Sequence, residues 1–154
     1  MPTYSTNIGH VHLKVRDLKE SITFYQTFFS LNFIEQVDND YAFLSGSAFH
    51  HEVALQQIGA NAPDSHPYGV GLYHVAFEVP SQTDFAQAYQ TLKAAEVPVV
   101  AVDHRISWAL YFKDPSGNGL ELYWDTRQTD HGEPLWQGKS LPLSEEEILS
   151  PFVV

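Results

Sequence analysis

A chain of 154 residues with a formal charge of −11 and no cysteine excludes several classes of function before any motif is read. The charge leaves no basic footprint for displacing counterions from nucleic acid, and the missing thiols rule out disulfides, thiolate metal sites and cysteine nucleophiles. The apolar content of 44% suits one buried core, with no run long enough for a membrane span. No charged-then-apolar leader opens the sequence, so the expectation is a cytoplasmic protein. Eight histidines in such a chain put imidazole and carboxylate first among the possible metal ligands.

The opening segment Gly9-His10-Val11-His12-Leu13-Lys14-Val15 alternates, with Val11, Leu13 and Val15 on one face and His10, His12 and Lys14 on the other. Asp17 is placed to cap a helix over about 18–29, in which Ile22, Tyr25 and Phe29 recur at helical spacing. Alternating apolar stretches follow at 41–44 and 53–57, and residues 58–71 form a linker rich in Gly, Pro, Asn and Asp. The opening pattern then returns as Tyr73-His74-Val75-Ala76-Phe77-Glu78-Val79, with 74 − 10 = 64, and Tyr25-Gln26-Thr27 returns at the same offset as Tyr89-Gln90-Thr91. Residues 81–84 lead into a second helix ending near Ala95, ahead of Pro98. Asp114 to Gly119 is a turn signal between two strands, a hairpin pattern. From Asp125 the chain turns polar, with at most a short helix near 143–149.

Each half therefore reads as strand, helix and three strands. The expected fold is α+β, two tandem βαβββ modules (about 8–57 and 72–125) forming a curved, mostly antiparallel sheet around a metal-binding cavity. The whole chain, 1–154, is expected to be a single domain, with 126–154 as its tail. A repeat of this kind brings equivalent positions toward a pseudo-twofold axis, and His10 and His74 are such a pair. Glu121 stands between apolar residues on the last strand, where a carboxylate facing inward needs a partner. Any one of these residues alone is most simply a strand histidine or a salt-bridged glutamate. The three together form the two-imidazole, one-carboxylate set preferred by iron(II) oxygenases and tolerated by manganese or zinc.

The motifs Gly9-His10-Val11, Val15-Arg16-Asp17-Leu18, His74 to Val79 and Tyr111 to Tyr123 resemble those of the vicinal-oxygen-chelate superfamily. That group holds glyoxalase I, fosfomycin-resistance enzymes, bleomycin-binding proteins and extradiol dioxygenases. The resemblance covers about residues 8–125. It implies metal ligation by His10, His74 and Glu121. His51-Glu52-Val53-Ala54-Leu55 resembles the dioxygenase pattern whose histidine serves the oxygen site, and His104-Arg105-Ile106-Ser107 ahead of Tyr111 resembles its second histidine motif. Catalytic roles are thus implied for His51, His104 and Tyr111. Strand alternation alone would instead put His50 on the face of Ala54, so the pattern requires the strand to start late. Alignment of the halves sets Ala54 where glyoxalase I has its fourth ligand, which disfavours that branch unless Glu52 slips into the role. The implied activity is iron(II)-dependent extradiol cleavage of a catechol by dioxygen, as in aromatic hydrocarbon catabolism, with manganese(II) as the alternative metal. The rivals are a glyoxalase-like lyase or isomerase, a fosfomycin-resistance-type transferase, and a non-catalytic binder. The resemblance also implies a homo-oligomer, a dimer or larger, with no nucleic-acid or membrane partner.

Overall fold

The computed structural model describes residues 4–153. The chain divides into two compact units, the first containing the residues up to Gly69 together with Asp114–Asn118, and the second containing 70–113 and the chain from Gly119 onward. Among the described residues no helix is long and apolar enough to cross a membrane.

The first unit runs β1 (Val11–Val15), α1 (Leu18–Phe29), β2 (Asn32–Val37), β3 (Tyr41–Ser45) and β4 (Val53–Gln57). Its sheet has the order β1-β4-β3-β2. β1 and β4 are parallel, with His12 opposite Ala54, and the other two pairs are antiparallel. Leu13, Val15, Leu44, Val53 and Leu55 are buried with Leu18, Phe24 and Tyr25 of α1, an arrangement in which the apolar half of each alternating strand meets the apolar stripe of the helix. Asp17 caps α1 by accepting from the Glu20 N–H at 2.7 Å. The helix ends at Ser30, whose left-handed φ of 54° stops the helical hydrogen bonding.

Asp114 organises the segment 114–118. Its buried carboxylate accepts from the N–H groups of Ser116 (2.9 Å) and Asn118 (2.8 Å), from Asn118 Nδ2 (2.8 Å) and from the Tyr25 hydroxyl (3.1 Å). Arg16 binds the same segment through Ser116, its N–H donating to Oγ and its guanidinium to the carbonyl. The turn signal read from the sequence is therefore also an anchor for the α1 side of this unit.

The second unit repeats the plan with β5 (Val75–Val79), α2 (Gln82–Ala94), β6 (Val100–Asp103), β7 (Ser107–Lys113) and β8 (Gly119–Asp125). It adds a two-residue strand β9 (Leu141–Pro142) and a short helix α3 (Glu145–Leu149). The sheet order is β5-β8-β7-β6-β9, with β5 and β8 parallel. Phe85, Ala86, Tyr89 and Leu92 of α2 are buried with Trp108, Leu110, Leu120 and Leu122. Ser144 and Glu147 form a capping box that starts α3, and the helix buries Ile148 completely.

The expected α+β fold of two βαβββ modules is present, its strands arranged in sheets of four and five. In each half the first strand bonds to its own last strand, so β1 and β5 lie at sheet edges. Apolar alternation shows which face of a strand is buried and is silent about which edge it joins.

Candidate active site

Each sheet has one apolar face under its helix and one polar face. In the first unit His10, just ahead of β1, shares a parity with His12. The His51 ring lies 4.6 Å from that of His10 and 4.9 Å from Phe43. β4 begins only at Val53, so His51 sits before the strand and escapes strict alternation. This is the late start that its motif required. His50 lies beside His51, with the two Nδ1 atoms 2.9 Å apart and its own Nε2 3.5 Å from Glu35. Loss of hydration, followed by the neighbouring His10, His50 and His12, lowers the His51 pKa below the ordinary imidazole value. His12 is exposed, opposite Ala54, with its ring 6.1 Å from Tyr41.

The second unit brings together four of the expected residues. Tyr111 pairs with Glu121 across β7 and β8, which sets both side chains on the polar face. The Tyr111 hydroxyl donates to Glu121 Oε1 at 3.2 Å and lies 2.9 Å from His104 Nε2. His74 Nε2 lies 2.9 Å from Glu121 Oε2. Burial first, and then the Glu121 charge, pushes the Tyr111 phenol well above its ordinary range, so it is a proton-bearing donor at neutral pH. Tyr123 lies two residues along the same face, its hydroxyl donating to Glu78 at 3.0 Å, and its pKa is pushed up to about 12, mainly by burial.

His74 reaches Glu121 because of a glycine. A Cβ on Gly119 would lie 2.2 Å from the Tyr73 carbonyl oxygen, so only glycine lets the chain ahead of β5 lie against β8. The sequence showed Gly119 as part of a turn and gave no sign of this approach.

Two observations fit a metal at this pair. Donors held at about 2.1 Å and at right angles around one cation are about 3.0 Å apart, close to the observed 2.9 Å. Among the described residues the buried His74 Nδ1 has no hydrogen-bond partner, the kind of orphaned polar atom that a nearby ion or water can explain. The all-nitrogen-and-oxygen donor set suits iron, manganese or zinc. His74 and Glu121 thus stand together in the second unit and His10 beside His51 in the first. Among the described residues no group of three such side chains is gathered closely enough to hold an ion.

Trp108 is 3% exposed and its ring lies 6.1 Å from that of Phe85 of α2, in the core. Its place in β7 differs from that of Tyr111 by an odd number of residues, which sends it to the helix face. His131 is exposed in a turn, with its ring 4.9 Å from Trp108. Glu52 accepts from the Gly46 N–H at 2.8 Å and so is committed to the β3–β4 loop. The ladders also match position for position: His12 faces Ala54 as Ala76, 64 residues on, faces Glu121. The first unit therefore carries alanine where the second carries its glutamate.

Catechol-2,3-dioxygenase of Bacillus subtilis is 29% identical over 120 residues, covering 78% of this chain and 42% of the relative. Biphenyl-2,3-diol 1,2-dioxygenase 3 of Rhodococcus globerulus is 38% identical over 89 residues, covering 56% and 47%. The matched regions thus span less than half the length of these two relatives. The metallothiol transferase FosB of Staphylococcus saprophyticus is 27% identical over 125 residues, 79% of each chain. Residues 7–122 match the sequence profile of the Glyoxalase/Bleomycin resistance protein/Dioxygenase superfamily, and with most of its length inside that match this chain belongs to the superfamily.

Proposed function

We propose that the protein is an extradiol dioxygenase that opens the ring of a catechol-type diol with dioxygen, using iron(II) held by His10, His74 and Glu121. Bound there, the metal would act as a Lewis acid toward the diol oxygens and as an electron conduit between ring and dioxygen. Both oxygen atoms enter the product, so no external reductant is consumed.

The chain's own residues handle protons and orientation. Tyr111 keeps its proton at neutral pH and donates toward Glu121 or toward a substrate oxygen that replaces that contact. His104 supports the Tyr111 hydroxyl from behind. His51, neutral at neutral pH, can take a proton from the diol at its free ring nitrogen and return it during cleavage. The observation that supports this reading most is the placement of His51 against His10. A proton carrier beside an expected metal ligand suits dioxygen chemistry, in which the diol must lose a proton and the intermediate regain one.

The likeness to FosB favours one second reading, transfer of a thiol to a small electrophile. The lyase reading is weaker here, since Ala54 cannot ligate and Glu52 is engaged elsewhere. The test is anaerobic reconstitution with iron(II), followed by air and a panel of catechols, with absorbance recorded for a yellow ring-opened semialdehyde. The dioxygenase reading expects that product from at least one catechol. Thiol addition to an epoxide, with no coloured product from any catechol, would replace it with the transferase.

A further inference from the structure

His104 stands after β6, with its backbone N–H donating to the Ser107 carbonyl at 2.9 Å. Its imidazole joins two different parts of the second unit. Nε2 is 2.9 Å from the Tyr111 hydroxyl, which lies 3.2 Å from Glu121 Oε1. Nδ1 faces the tail, 3.0 Å from Ser140 Oγ and 3.2 Å from the Lys139 carbonyl oxygen.

The direction of each proton in this chain follows from what each atom can do. An ionised carboxylate only accepts, so the Tyr111 proton points to Glu121. The Tyr111 oxygen must then accept from His104, which puts the ring proton on Nε2. A neutral imidazole has one N–H, so Nδ1 is left as an acceptor. The Lys139 carbonyl cannot donate to it, and that oxygen already accepts the Trp136 indole N–H. The Ser140 hydroxyl alone among these neighbours can. The opposite tautomer would send Nδ1–H to the tail and draw the Tyr111 proton to Nε2. Glu121 would then face a phenol lone pair at 3.2 Å.

The tail is fastened where this requires. β9 pairs with β6 through Asp103 and Leu141, next to both His104 and Ser140. The Glu133 N–H donates to the Arg105 carbonyl at 2.7 Å, and Lys139 forms an ion pair with Glu133. Arg105 itself holds a left-handed φ of 68°, a conformation uncommon for a side-chain-bearing residue and here held by contacts on both sides.

We propose that Ser140 is a positioning residue: by donating to His104 Nδ1 it fixes the Nε2–H tautomer and so aims the Tyr111 proton at Glu121. The tautomer is a property of the apoprotein. Its effect on turnover rests on the dioxygenase reading above.

The test is long-range proton–nitrogen NMR of metal-free protein labelled with nitrogen-15 histidine, at about pH 8, above the reference imidazole value of ~6.5. His104→Asn identifies the signal. The wild type should show His104 protonated at Nε2. Ser140→Ala should invert it to Nδ1–H, donating to the Lys139 carbonyl, and Ser140→Thr should restore Nε2–H. Wild-type protein already in the Nδ1–H form, or Ser140→Ala retaining Nε2–H, overturns the proposal. In the iron-loaded enzyme, Ser140→Ala should lower kcat about tenfold, the order seen for outer-shell partners of metal sites, with KM little changed and Ser140→Thr restoring the rate. A wild type without ring cleavage sinks the dioxygenase reading and leaves the NMR result to decide the role of Ser140.

Discussion

Glu121 and Asp114 show what a buried carboxylate needs in this protein. Asp114 has four donors around it and no other task than to hold the 114–118 turn and Tyr25. Asp114→Ala should therefore cost about 2–3 kcal/mol, since it strands a buried hydroxyl and three further donors, as read by urea unfolding. Glu121 instead points one oxygen at Tyr111 and the other at His74. Gly119→Ala should displace Tyr73 and His74 from β8, weakening metal binding at least as much as it weakens the fold, and titration with iron(II) or manganese(II) measures the difference. Burial, reinforced by Asp114, raises the Tyr25 phenol far above its ordinary range. The folded-state pKa being the higher one, this contribution to stability is complete below the unfolded value of about 10. It is lost as pH climbs beyond that, because only the unfolded chain can ionise there. Tyr25→Phe should flatten the fall in stability between about pH 9 and 11, and an unchanged slope would assign the fall to other groups. The histidine and glutamate positions were legible in the sequence because they interrupt apolar strands. The Gly119 approach was not, since nothing local distinguishes a glycine that makes a turn from one that admits a backbone.

Among the elements, the helices were the easiest to read. α1 spans Leu18–Phe29, as the Asp17 cap and the Ile22, Tyr25, Phe29 spacing predict, and α2 ends before Pro98 as it must. The hairpin of β7 and β8 likewise follows from its turn residues. The tail shows the limit of such reading. β9 is two residues long and includes a proline, which is compatible only with the sheet edge it occupies. No periodicity exists over two residues, so neither its pairing with β6 nor the contact of Ser140 with His104 could be foreseen. α3 is held by its capping box and by Ile148. Ser144→Ala should cost about 1 kcal/mol, with faster hydrogen exchange confined to residues 145–149 if the loss is local.

At the scale of the whole molecule, an internal repeat is written twice in the same ladder pattern, a parallel pair of first and last strands followed by antiparallel neighbours. The repeat was visible because two segments recur at one offset. Division into two sheets was hidden, because edge pairing leaves no mark on alternation. The two units have diverged in complementary ways, with His51 beside His10 in one and Tyr111, His104 and Glu121 joined in the other. If His10, His74 and Glu121 hold one iron, His10→Ala and His74→Ala should each release it on desalting, while His51→Ala should keep it and lose about 10²- to 10⁴-fold in turnover, the usual worth of a placed acid or base. Metal analysis beside the rate separates these outcomes.

Ring opening by dioxygen fixes the stoichiometry of oxygen use. Iron-loaded protein and a limiting amount of a reactive catechol are mixed in an oxygen-electrode cell, with catalase added at the end. An extradiol dioxygenase consumes one dioxygen per diol, and catalase then returns no oxygen. Oxygen returned as peroxide, or no uptake with any catechol by fully iron-loaded protein, would contradict that activity.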